Sequence, residues 1–238
     1  LVLRLNRKIR GNISLSYWLQ EQHYDIAVSN TGTPFSRRPA FVTPHNNSSR
    51  FNTSANLHTR LSRRDSVRVY LAVSKFQYDT PDTNNFDDRD ELRINSRFLF
   101  SHRYNPQLTL NVLASVNLYH MVYIFGERSA DNNWNRIFLL RPQVKYDNQI
   151  VRVSQSFEVL ANYVDYDFEE FSQQTKSFVF RKFSMSDSLQ WQLLPRTSLL
   201  VDYRLQLEEN GQLSWDDWTE QILVTRRKQW FHAYWRYE

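Results

Sequence analysis

The chain has 238 residues, of which 41% are hydrophobic, 15% aromatic and 23% charged, and its formal net charge is +5. It has no cysteine, which excludes disulfide scaffolds, cysteine-ligated zinc and cysteine nucleophiles. Its four glycines, Gly11, Gly32, Gly126 and Gly211, lie far apart and no GxSxG occurs, so a dinucleotide fingerprint, a phosphate-binding loop and a serine-hydrolase elbow are excluded as well.

The length suits one large β domain or two ordinary ones. A mean hydropathy of −0.63 reads as soluble, yet the aromatic content exceeds what a modest soluble core needs. The longest plainly apolar run, Met121 to Phe125, is far short of the roughly 20 residues a transmembrane helix requires. Leu1-Val2-Leu3 is followed at once by Arg4, so no secretory h-region is visible.

The dominant signal is a period of two. Val67, Val69, Leu71 and Val73 alternate with Arg68, Tyr70, Ala72 and Ser74. Leu92, Ile94, Phe98 and Phe100 alternate with Arg93, Asn95, Arg97 and Ser101, and Leu110, Val112, Ala114, Val116 and Leu118 with Thr109, Asn111, Ser115 and Asn117. This is strand periodicity with one apolar and one polar face. In chain order it predicts about eleven strands, near 1–5, 9–28, 50–62, 66–78, 91–104, 108–124, 134–147, 150–166, 176–193, 197–208 and 219–238. Several stay in phase for about 12–16 residues, against about 5–6 in soluble sheets and about 9–11 needed to cross a bilayer.

The connections alternate in kind. Short polar turns are expected at Asn6-Arg7-Lys8, Ser62-Arg63-Arg64-Asp65, Asn105-Pro106-Gln107, Asp147-Asn148-Gln149 and Pro195-Arg196. Longer polar loops fall between them, near 29–49, 79–90, 126–133, 167–175 and 208–217. The last four short turns recur about every 42–47 residues, one hairpin each, and no domain boundary interrupts 1–238. Two strands break phase. Phe178 and Phe180 oppose the parity of Leu189, Trp191 and Leu193, and Ile222 and Val224 that of Phe231, Ala233 and Trp235. Either each holds a bulge, or its outer part projects beyond the membrane and need not alternate.

Long alternating strands with short turns at one end and long loops at the other resemble the bacterial outer-membrane β-barrel class, porins and related transporters. The resemblance covers nearly the whole chain and rests on architecture; the scarcity of glycine departs from many such barrels. It implies an all-β, antiparallel up-and-down transmembrane barrel in the bacterial outer membrane, in contact with the bilayer and lipopolysaccharide. The hydrophilic average then reflects every second residue facing a polar interior. Tyr17, Trp18, Tyr78, Tyr104, Tyr119, Tyr123, Trp134, Tyr146, Tyr163 and Tyr166, near strand ends, are expected to form interfacial girdles. An odd strand count and a first half-strand, Leu1 to Leu5, lead to the expectation of a barrel of 12 or more strands whose N-terminal strand or strands lie outside this sequence.

Apolar parity assigns the other parity to the lumen. Its bases are Arg50, Arg60, Arg68, Arg93, Arg97, Arg103, Arg141, Lys145, Arg152, Arg204 and Arg236, and its acids Glu158, Asp202, Glu208 and Glu238. Three readings follow: a pore or vestibule for anionic or polar solutes, a structural lining in which Glu158 and Asp202 pair with arginines, or a basic wall that docks an acidic plug or other subunits of an envelope complex. No catalytic residue, metal site or cofactor is assigned. The histidines are scattered, Ser115 and His120 have opposite parity, and Asp87-Asp88 and Asp216-Asp217, where a rim hydrolase would place its acids, have no histidine nearby. Nucleic acid is not expected as a partner, because the bases interleave with lipid-type strands.

Overall fold

A computed structural model describes residues 2–6, 9–22, 46–80, 86–168, 176–214 and 219–237. They form β1 (Val2–Asn6), β2 (Ile9–Gln22), β3 (Asn46–Arg60), β4 (Asp65–Asp79), β5 (Arg89–Arg103), β6 (Leu108–Tyr123), β7 (Asn133–Asp147), β8 (Val151–Tyr166), β9 (Phe178–Leu194), β10 (Thr197–Ser214) and β11 (Thr219–Tyr237). A short 3₁₀ turn, Gly126–Asp131, precedes β7. The strands make one antiparallel sheet in chain order from β1 to β11. The sheet is not closed: among the described residues no ladder joins β1 to β11. The outer end expected of the second strand, 23–28, lies outside the described residues, as do His23, His45, Asp216, Asp217 and Glu238.

The short turns are built by the side chains that mark them in the sequence. Ser62 Oγ accepts from the N–H groups of Arg64 (2.9 Å) and Asp65 (3.0 Å). Asn105 Oδ1 accepts from Gln107 (2.9 Å) and Leu108 (2.7 Å), and Asn148 Oδ1 from Ile150 (2.8 Å) and Val151 (2.6 Å). Such local bonds satisfy the backbone where the ladder ends. At the first of these turns the Ser62 hydroxyl, and then His102, whose Nδ1 lies 2.5 Å from the carboxylate, hold Asp65 below the usual carboxylate range.

Directly opposed residues share a face, so the register sorts every side chain. One face carries rows such as Val67–Phe100–Val112–Pro142 and Val69–Phe98–Ala114–Leu140. Its apolar side chains are open to the surroundings, among them Leu71, Phe98, Leu140, Val159 and Phe231. Only Val164, Val179 and Leu213 are buried apolar residues among those described, so no interior core exists to hold the sheet. An apolar surface of this extent is at home in lipid. On β6 it runs from Leu108 to Leu118. About ten strand steps of about 3.3 Å, tilted about 40°, cover about 25 Å along the membrane normal, the height of an outer-membrane apolar band.

Towards the long loops, charge appears on this face too. Lys75 pairs with Asp90 (3.2 Å), Arg136 with Asp165 (3.6 Å), and Arg181 with Glu220. The strands therefore extend past the apolar band on that side. β10 continues to Ser214 through a stretch expected to be loop. The extension explains one phase break without a bulge. The register of β9 against β8 and β10 is unbroken from Phe178 to Trp191, and Phe178 and Phe180 lie on the polar face beyond the band. The other break is a bulge in part: pairing steps from Asn210↔Val224 to Gly211↔Ile222, leaving Leu223 extra, so Ile222 returns to the apolar face while Val224 stays on the polar face. A Cβ at Gly211 would stand 2.6 Å from the Gln221 carbonyl oxygen, so the close approach there needs glycine.

The outer connections are fastened to one another. Arg128 of the 3₁₀ turn pairs with Asp87 and, at 3.2 Å, with Asp131, and Lys176 reaches Asp131 at 3.6 Å. Asp88 is buried and accepts the Thr80 N–H at 2.8 Å; its burial pushes its carboxyl above the ordinary range.

Candidate functional site

The face opposite the apolar band carries the charge, and the depressions of the sheet lie on it. The register places all the bases named from parity there. Arg60 opposes Ser66, and Arg68 lies between His58 and Leu99. Arg93 lies between Ser74 and Tyr119, and Arg97 between Tyr70 and Ser115. Arg141 opposes Leu113, Lys145 lies between Thr109 and Ser154, and Arg152 between Asp147 and Gln190. Arg204 lies between Ser186 and Trp230, and Arg236 opposes Ser198.

The acids are unequal. Glu158 is held by Arg141, whose Nε donates at 2.8 Å, and by Lys182 Nζ at 2.6 Å, so one carboxylate joins three strands. Glu208 accepts from Lys228 at 3.0 Å. Asp202, expected to be a second such partner, makes no ion pair with any described residue; Ser188 and His232 stand opposite it. The face has further charged members not named from the sequence, although Glu91 and Asp147 share the parity of Arg93 and Lys145. Glu91 bridges Arg89 (3.0 Å) and Arg93 (2.9 Å), and Asp147 pairs with Arg152 (3.0 Å). Lys182, Arg226 and Lys228 share it, and the phase breaks in β9 and β11 hid them.

Of the expected aromatic girdle, Tyr104 lies in the turn after β5 and the rest divide in two. Tyr17, Trp134, Tyr146 and Tyr163 lie on the apolar face. Trp18, Tyr78, Tyr119, Tyr123 and Tyr166 are on the polar face, which corrects their assignment to the interface. There rings meet guanidinium groups: Arg89 lies 5.2 Å from the Tyr78 ring and Arg93 4.8 Å from the Tyr119 ring. Arg50 lies 4.8 Å from the Phe76 ring on the same face. Cation–π attraction and the Glu91 bridge together order a patch of arginines across β3 to β6 that would otherwise repel one another.

Membrane-length antiparallel strands in chain order, an apolar face without a core behind it and a charged, hollowed opposite face define the outer-membrane β-barrel class. No protein family and no curated protein sequence matches the chain. Among solved structures it is similar to the copper transporter OprC, at 11% identity and a TM-score of 0.61 over 97% of this chain and 38% of that one. It is similar also to the ferric-catecholate import receptor Fiu from E. coli K12, at 9% identity and a TM-score of 0.58 over 99% of this chain and 44% of that one. At such identities the likeness shows the fold, that of a bacterial outer-membrane barrel. The chain spans about two fifths of the length of these structures.

Proposed function

We propose that this sheet is part of the wall of an outer-membrane barrel whose basic lumen forms a pore or vestibule for anionic or polar solutes. One observation carries the reading. Arg60, Arg68, Arg97, Lys145, Arg204 and Arg236 share the polar face, and none makes an ion pair with a described residue. Unneutralised guanidinium groups along a pore attract anions and offer forked donors to carboxylate or phosphate. The transport named for OprC and Fiu supports passage of a solute through this fold. The free edges of β1 and β11 cannot stand in hydrocarbon, where unpaired backbone groups cost several kcal/mol each, so in the membrane both edges are paired. The apolar face then meets the bilayer, with lipopolysaccharide in its outer leaflet. No catalytic residue or cofactor belongs to this function.

The test is conductance of the full-length protein in planar bilayers under a KCl gradient. Anion selectivity is expected, falling when Arg97 and Arg204 are changed to Glu. Cation selectivity in the unaltered protein would overturn the proposal. A second reading, a scaffold barrel that anchors or encloses other subunits, draws on the same bases without ion pairs, which would dock an acidic partner surface. Absent conductance together with stably co-purifying chains would select it.

A further inference from the structure

We propose that the half of the polar face formed by β7 to β11 holds a binding site for a neutral polyhydroxylated ligand, a sugar or short oligosaccharide. The inference rests on that face being a water-filled lumen, and concerns a region distinct from the arginine–aromatic patch across β3 to β6.

The floor of the site is serine. Ser154 opposes Ser188, and Ser156 opposes Ser186, so four small hydroxyls stand on two adjacent strands. Larger side chains border them: Gln143 on β7, Asp202 and Arg204 on β10, Trp230 and His232 on β11. The result is a depression of about 500 Å³. It adjoins a second, of about 400 Å³, that shares Gln143, Ser154, Ser188 and Asp202 and reaches Tyr234.

The chemistry of the lining selects the ligand. Each serine hydroxyl both donates and accepts, and Gln143 already donates to Ser154 Oγ at 3.1 Å. Asp202 is the exception among the acids of this face. Glu91, Asp147, Glu158 and Glu208 are each held by a base, whereas Asp202 makes no ion pair with any described residue and keeps its acceptor capacity. Arg204, two residues along the same strand, is likewise exposed and makes none. Trp230 lies directly across from Arg204 and is 40% exposed. A free carboxylate that accepts from paired hydroxyls, a guanidinium that donates to ring or hydroxyl oxygens, and an indole that covers apolar C–H groups are complementary to a pyranose. The Asp202 carboxylate disfavours an anion, and an apolar ligand would strand the serine hydroxyls without partners.

The test uses the full-length protein in detergent micelles, with maltohexaose as the probe and isothermal titration as the readout. Saturable binding is expected. Trp230→Ala should weaken it about tenfold and Asp202→Asn about fivefold, while Trp230→Phe keeps most of the affinity and Arg97→Gln leaves it unchanged. The indole-free variants are compared only after heat-modifiable mobility shows that they fold, and Asp202→Asn, nearly isosteric, carries the test where they do not. No saturable binding by the unaltered protein, or binding indifferent to both Trp230→Ala and Asp202→Asn, overturns the proposal. So does a preference for a sulfated over a neutral oligosaccharide, which would mark simple anion attraction. Bilayer conductance of the same preparations separates the two claims. Sugar binding without anion selectivity refutes only the basic-pore reading, and anion selectivity without sugar binding refutes only this one.

Discussion

Val112→Arg places a charge at the centre of the apolar face. Val112 sits between Phe100 on β5 and Pro142 on β7, four residues from the inner end of a band that runs from Leu108 to Leu118. That is close to the midplane of a layer about 25 Å thick, where arginine costs about 2–4 kcal/mol. Asn111→Arg changes the neighbouring residue and turns the same charge to the polar face. It sacrifices the bond between Ser101 Oγ and Asn111 Oδ1 (2.6 Å), worth about 0.5–1.5 kcal/mol, and meets no lipid. The expected gap between the two variants is therefore about 2 kcal/mol. Reversible urea unfolding in phospholipid vesicles, followed by tryptophan fluorescence, measures it. Leu110→Arg should follow Val112→Arg, and Ser115→Arg should follow Asn111→Arg. Equal costs on the two parities, or a greater cost at Asn111, would refute the assignment of faces on which the functional reading stands.

Three further outcomes are expected. Glu158→Gln should destabilise by about 1–3 kcal/mol in the same assay, because it leaves Arg141 and Lys182 without their shared, 12% exposed carboxylate; Arg152→Ala, whose pair with Asp147 is more than 60% exposed on both sides, should cost under about 1 kcal/mol. Gly211→Ala should cost about 1–3 kcal/mol, since the new Cβ meets the Gln221 carbonyl at the bulge, and a cost near zero would mean that the bulge relaxes freely. The depressed carboxyl of Asp65 contributes stability that is fully present above the ordinary carboxylate range and lost as the pH falls through its folded value. Asp65→Asn should flatten that acid limb of the stability curve, and an unchanged limb would remove the turn from the account.

Much of the architecture was legible because two local signals agree. A period of two gives strands and faces directly, and the residues that close the inner turns, Ser62, Asn105 and Asn148, bond to backbone within three residues of themselves. What was hidden depends on neighbours distant in the chain. Lys182 joins Glu158 only through the register of β8 with β9, and the phenylalanines at the start of β9 masked its parity. Tyr78 and Tyr119 sit at strand ends like girdle residues, although alternation puts them on the parity of Arg68 and Asn117; their pairing with Arg89 and Arg93 settles that they lie on the polar face. Asp202 and Glu158 are equivalent in the sequence, each an acid on the polar parity. What separates them is whether a base stands within reach across the ladder, which is a property of the sheet rather than of either residue.

The chain-order pairing of the sheet has a consequence for how such a wall can change over time. Among the described residues each strand is hydrogen-bonded only to the strands before and after it in the sequence, so its register owes nothing to more distant described strands. A whole hairpin can be duplicated or lost, and the strands flanking the event still find antiparallel neighbours with the same inside and outside. Gain or loss by hairpins alters the circumference while the surviving depressions keep their shape. The width of the sheet and the lining of its depressions are in that sense separately heritable.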